Sequence, residues 1–200
     1  MLHKKLPEFE AIEMIFLPSA AVIKFSRPKE KNPLSLATIR EVEQAIDFTE
    51  ESSEIKTIIF TGSGNTFASG ANLKEVAALD ETEARGFGLR GQNLMQRIYR
   101  LEKLTVAAVD GFCMGGAFDL ALSCRRRVAS ERSVFAHPGA SLGIVTGWSG
   151  TQLLPRLVGK KRALEIFLTA KRIEARDALE IGLIDEIAEN PLEFSIANYA

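Results

Sequence analysis

The sequence predicts an α/β fold with a largely parallel sheet. Three observations predict it. Short apolar runs alternate along the chain with segments of helical periodicity. The two clearest runs, Thr57-Ile58-Ile59-Phe60 and Val106-Ala107-Ala108-Val109, lack a polar alternate and so suit strands covered on both faces. Each of these runs is followed by a glycine-containing turn that leads into a helix.

The elements follow in order. Two apolar, β-branched runs at 11–17 and 20–25, split by Pro18 and Ser19, read as a hairpin or two adjacent strands. A polar loop at 26–33 comes next, where Pro28 and Pro33 cannot continue a strand. Ser35 is suited to cap a helix reaching about Glu51, with Leu36, Ile39, Val42, Ile46 and Thr49 at helical spacing. The strand at 57–60 ends in a Gly-rich loop at 61–65, and a long helix covers 81–101 with Leu94, Ile98 and Leu101 on one face. The strand at 106–109 ends at Asp110 and Gly111; a helix at 116–124 and a strand at 127–129 follow. Residues 151–168 read as helix interrupted near Val158 and Gly159, 175–181 as a short helix, 183–187 as a last strand, and 191–199 as the start of an amphipathic helix. With no linker or low-complexity tract in view, residues 1–200 are expected to form a single core domain.

Composition narrows the function. The hydrophobic share is 46% and the charged share 26%, ordinary for a globular protein and enough to exclude a disordered tail, a collagen-like repeat or a disulfide scaffold. At this length roughly 70% of the unfolded surface is expected to be buried, so a sizeable core can form. The formal net charge is −1, which steers the chain toward neither nucleic acid nor an anionic membrane, although a local basic patch could still hold a small anion. Arg125, Arg126 and Arg127 form too short a run to argue for nucleic acid and read as a solvated turn. Cys113 and Cys124 are too few for a framework and show no metal-ligand spacing. The charged opening residues lack an apolar stretch and cleavage site, and no window is apolar enough to span a membrane, so a reducing cytoplasm is the expected compartment.

Two glycine-containing turns are the candidates for chemistry: 67–74, Phe67-Ala68-Ser69-Gly70-Ala71-Asn72-Leu73-Lys74, and 111–120, which contains Met114-Gly115-Gly116-Ala117-Phe118-Asp119. Small residues let a ligand approach the backbone, and a helix start points free N–H groups at it. Two such groups converging from separate loops would hold a developing oxyanion, worth roughly 3 kcal/mol per donor. Equally, Gly115 and Gly116 could serve only to pack a helix tightly on a strand.

Taken together, five ordered motifs resemble the crotonase (enoyl-CoA hydratase/isomerase) superfamily over nearly the whole chain. They are 21–32, which carries Arg27-Pro28 and Asn32; the loop 61–74; the segment 107–121 with its Gly115-Gly116 pair; the segment 141–160 with Gly150-Thr151-Gln152; and 168–187. The resemblance implies a crotonase-like spiral of ββα units, a bound acyl-CoA thioester, and an enolate held by two backbone N–H groups. By motif position those donors fall on Ser69 and Gly116. It implies no cofactor apart from the coenzyme A of the substrate, no nucleic acid or membrane partner, and a homotrimer or hexamer. It also places Ala68, Gly70, Ala71, Asn72 and Gly115 along the substrate.

The acid–base groups depart from the family. Its hydratases carry two glutamates; the first position holds Asp119, one methylene shorter, whose oxygens retreat by about 1.5 Å. The second falls on Gly139, which has no titratable group. His137, two residues earlier, is the candidate substitute, with a structural histidine as the other reading. Trp148 either lines the acyl pocket or belongs to the core, while Asp110 reads as a turn residue. Arg27, Lys29, Lys31 and Lys74 are candidates for the CoA phosphates, or else a solvated surface run. One carboxylate suffices for isomerisation, thioester hydrolysis or decarboxylation, so these are favoured over hydration. The alternative is a CoA-binding or assembly protein that kept the fold without the chemistry. Family members continue past the last strand with several helices, so the end at Ala200 implies either a fragment or a short variant closed by a neighbouring subunit.

Overall fold

A computed structural model describes residues 7–200; the charged opening stretch, and His3 with it, lies outside the described residues. β1 (Ile12–Phe16) and β2 (Ala20–Phe25) form the expected antiparallel hairpin. A 3₁₀ turn at Pro28–Glu30 leads to β3 (Pro33–Leu34) and α1 (Leu36–Glu50). β4 (Thr57–Thr61), β5 (Thr66–Ala68) and β6 (Gly70–Ala71) precede α2 (Leu73–Ala77) and α3 (Glu81–Arg100). Next come β7 (Leu104–Val109), β8 (Phe112–Met114) and α4 (Gly116–Ser123), then β9 (Arg126–Ala129), β10 (Val134–Ala136) and α5 (Gly139–Leu142). The chain continues through α6 (Gly150–Val158), α7 (Lys160–Thr169), β11 (Ile173–Glu174), α8 (Ala175–Glu180), β12 (Glu186–Ile187) and α9 (Pro191–Tyr199).

A six-stranded sheet in the order β1-β2-β4-β7-β9-β12 is parallel except for β1. A four-stranded sheet, β11-β10-β8-β5, stacks beside it, and β3 pairs with β6. The chain runs repeatedly from the large sheet to the small one and then into helix: β7 to β8 to α4, and β9 to β10 to α5. This is the spiral of ββα units expected. The small-sheet strands are the elements that periodicity did not reveal; at two or three residues each, they are too short to display alternation.

Local chemistry explains the boundaries. Ser35 Oγ accepts from Thr38 N at 3.1 Å to cap α1, and Asp80 and Glu83 form a reciprocal capping box at the start of α3. The last strand is shorter than the 183–187 run because Arg127 competes for its backbone. The Arg127 guanidinium, nearly buried, donates to Leu183 O at 2.8 Å and Cys124 O at 2.6 Å and pairs with Asp185 at 3.2 Å. The backbone joins β9 from the Asp185 N–H, which donates to Arg127 O at 2.9 Å, and the first partnered residue is Glu186. Alternation across the large sheet divides the apolar interior in two. Ile23, Phe25, Ile58 and Phe60 face the helices and the small sheet, while Val22, Ile59, Val106, Ala108 and Val128 face outward beneath α9.

Candidate active site

The site lies where β6, the start of α4 and the end of β10 converge. Gly70, at φ +88°, lets two backbones meet there: a Cβ on it would stand 2.5 Å from Met114 O and 2.9 Å from Gly116 N. Gly116 is the first residue of α4, so its N–H has no partner within the helix. The orientation of Ala71 follows from its neighbour strand. Pro33 has no N–H, so its pairing with Gly70 must use the Gly70 N–H and carbonyl, both facing β3. Alternation turns the Ala71 N–H to the opposite side, and a Cβ built on Gly116 would lie 3.5 Å from Ala71 N. The amides of Ala71 and Gly116 are thus neighbours across the groove.

Ser69, expected as one of the donors, is not free. Its N–H donates to Lys31 O at 3.0 Å, because the loop that ends at the left-handed residues Lys31 and Asn32 is tied back onto this segment. Buried Asn32 completes the tie, its amide donating to Ser63 O at 3.0 Å and Thr66 O at 2.8 Å.

Next to these amides is a groove of about 270 Å³, lined by Gly115, Gly116, His137, Gly139 and Trp148 and walled by apolar side chains including Leu73, Val76, Phe87 and Val145. Trp148 is both core and pocket: 3% exposed, tilted against Phe87 at 5.2 Å, and part of the lining. Its indole fills the space beside two glycines, since a Cβ on Gly91 or on Gly116 would come within 3.0 Å of the ring. The sequence reading missed Phe87 and Gly91, which sit on α3 without any periodic signal that separates groove from core.

Asp119 is fully buried in α4. Thr146 Oγ1 donates to its Oδ2, and the nearby backbone amides of Trp148 and Gly150 favour the ionised carboxyl. His137 Nε2 stands 3.3 Å from Asp119 Oδ1, off the angle of a made hydrogen bond, and neither atom has another partner. The imidazole is stacked on Phe118 at 4.7 Å and tilted against Phe167 at 5.1 Å. Burial pushes the Asp119 carboxyl up to about 7 despite those hydrogen bonds, and pushes His137 down to about 4. The pair therefore keeps its proton on Asp119 in acid and is near half-ionised at neutral pH. Gly139 leaves no room for a second carboxylate, as a Cβ there would come within 3.0 Å of Ile144 O.

Other expected positions are placed differently. Ala68 is buried in β5 and belongs to the core rather than the groove. Gly70 serves the close approach just described, and Asn72 caps α2 by accepting from Lys74 N at 3.0 Å. Arg27, which lies 3.8 Å from Glu10, is not among the groove-lining residues, and neither is Lys29 in the exposed 3₁₀ turn. Lys74, exposed on α2, is likewise not among the groove-lining residues. Asp110 is a turn residue, bonded to Ser130 and paired with Arg132. Among the described residues, no group of three His, Cys, Asp or Glu could hold a metal ion, and no helix is long and apolar enough to cross a membrane.

Comparison with known proteins finds relatives of this chain. The family model described as enoyl-CoA hydratase/isomerase matches residues 17–193. A short-chain-enoyl-CoA hydratase of Clostridium acetobutylicum is 40% identical over 170 residues, covering 84% of this chain and 65% of the relative. A crotonyl-CoA hydratase of Syntrophomonas wolfei is 38% identical with the same coverage. The chain thus spans 65% of the length of these relatives. Among solved structures, an enoyl-CoA hydratase from Bacillus anthracis superimposes with a TM-score of 0.90 at 32% identity, covering 94% of this chain and 74% of that one. Pseudomonas aeruginosa DspI superimposes with a TM-score of 0.92 at 26% identity, covering 98% and 75%.

Proposed function

Because this chain belongs to the enoyl-CoA hydratase/isomerase family, we propose that it binds an acyl-CoA thioester and moves a proton on and off the acyl chain through an enolate. The observation that supports this most is the adjacency of the Ala71 and Gly116 amides at a groove whose lining residue His137 faces the buried carboxyl of Asp119. The thioester oxygen sits between the two amides, which stabilise it as it gains negative charge, at roughly 3 kcal/mol per donor. A C–H bond next to the thioester breaks, its electron pair enters the enolate, and the proton is taken up by the pair that Asp119 forms with His137. A carboxyl poised near neutrality suits both taking and returning that proton. Returning it to a different carbon is isomerisation.

Isomerase-type transfer is favoured over hydration because Gly139 cannot carry a second acid–base group. Thioester hydrolysis and decarboxylation need no more than this one carboxyl and the same two amides. A hydratase reading is supported instead by the two relatives above, both of which are named as hydratases. Coenzyme A arrives as part of the substrate, so the reaction requires no separate cofactor, and we propose the family's trimeric or hexameric assembly.

A proton NMR time course with a short 2-enoyl-CoA in D₂O tests the reading. Deuterium entering the acyl chain without a new hydroxyl supports proton transfer. A 3-hydroxyacyl product would replace it with hydration. An unchanged acyl chain alongside broadened CoA signals would leave a binding protein.

A further inference from the structure

We propose that His137 is the group that touches the substrate and that Asp119 acts through it, as the inner end of a two-residue proton relay. This rests on the proton-transfer reading above and assigns the path the proton takes. Of the two side chains, His137 lines the groove, whereas Asp119 is fully buried and does not. Their facing atoms, His137 Nε2 and Asp119 Oδ1, are 3.3 Å apart, and both lack any other partner. Buried polar atoms are nearly always satisfied, so two left facing one another mark a place where a proton is passed rather than fixed. Both groups are held in position. Thr146 holds the carboxyl by its hydrogen bond to Oδ2, while Phe118 and Phe167 hold the imidazole ring against rotation.

The step balances within the pair. With Asp119 ionised and the proton of His137 on Nε2, the lone pair of Nδ1 takes the proton from the acyl carbon. The C–H electrons pass into the enolate, and the Nε2 proton crosses to Asp119 Oδ1. The pair then holds two protons, one on Nδ1 and one on the carboxyl. Reprotonation of carbon from Nδ1 and return of the carboxyl proton to Nε2 restore the start. Asp119 is thus a positioning and proton-holding residue, and His137 the catalytic one.

The experiment follows exchange of the α-protons of butyryl-CoA in D₂O by proton NMR, for the full chain and for H137A, H137Q and D119N, with binding read from line broadening. Loss of exchange by about 100-fold or more in H137A and H137Q is expected, at unchanged binding. Added imidazole should recover part of it in H137A but not in D119N, where the imidazole ring is already present. In ¹⁵N-labelled protein, D119N should also shift the His137 ring nitrogens, a signature that loss of packing alone would not give. Wild-type exchange in H137Q would overturn the relay and leave Asp119 reaching the substrate itself. Absence of exchange in the unsubstituted protein, with butyryl-CoA bound, would overturn the proton-transfer reading and the relay with it.

Discussion

Replacing Gly91 by alanine tests whether the Trp148 indole is as tightly seated as the structure has it. In an exposed helix interior, glycine to alanine stabilises by about 0.5–1 kcal/mol, because alanine loses less backbone freedom on folding. α3 supplies its own control. A Cβ on Gly86 meets nothing within 4 Å, so G86A should gain that full amount. A Cβ on Gly91 comes within 3.0 Å of three atoms of the Trp148 ring, which cannot retreat toward Gly116 because it already fills the space there. Overpacking of this kind costs about 1–3 kcal/mol. The helix-propensity gain is common to both variants, so the difference between them is the overpacking cost itself. At roughly 2–4 °C per kcal/mol for a chain of this size, G91A should melt several degrees below G86A. Urea unfolding of both variants with the parent chain measures this directly. If G91A gained as much stability as G86A, Trp148 would not be wedged and the groove floor would be soft.

Three further outcomes follow from the same site and its surroundings. Between about pH 4 and 6.5 the folded pair carries one proton, on Asp119, and the unfolded pair also carries one, on His137. The stability Asp119 contributes is present in acid and lost as pH rises from its unfolded value of 3.8 through about 7; that of His137 is present above 6.5 and lost as pH falls through about 4. The two slopes oppose one another in the parent, whereas in H137Q only that of Asp119 remains, so its stability should fall relative to the parent as pH rises from 4 to 6.5, measured by urea unfolding. T146V removes a donor whose hydrogen bond holds the Asp119 pKa down, so the midpoint of the α-proton exchange profile should move to higher pH. R127M strands the carbonyls of Leu183 and Cys124, while Asp185 keeps Arg126 and the Arg127 N–H, a loss of about 1–3 kcal/mol per carbonyl visible as a lower urea midpoint.

The larger elements were legible because their signals are local. Ser35 and the spacing of Ile39, Val42 and Ile46 define α1, and the apolar runs at 57–60 and 106–109 define two central strands. What the sequence could not carry depends on pairings between distant segments. Whether Ser69 or Ala71 offers a free N–H is decided by Pro33, whose missing donor sets how β6 faces β3, and by the carbonyl of Lys31. The approach of His137 to Asp119 likewise comes from the register that places Ala136 beside Met114, setting the residue after β10 against the start of α4. The family resemblance supplied Asp119 and Gly116, and burial within α4 then showed that the carboxyl does not reach the groove.

The strand order of the large sheet has a consequence for how the chain acquires its shape. Read from one edge to the other, β1-β2-β4-β7-β9-β12 never steps backward along the sequence. During synthesis each newly emerged strand can therefore dock on the edge laid down just before it, with no insertion between strands already paired. The outer face follows a different timetable. Val22, Ile59, Val106 and Val128 are in place as soon as their strands pair, yet the helix that covers them, α9, is made only with residues 191–199. A growing chain thus carries an uncovered apolar sheet face from the pairing of these strands until residues 191–199 emerge, and it is the arrival of Leu192, Phe194 and Ile196 that covers it.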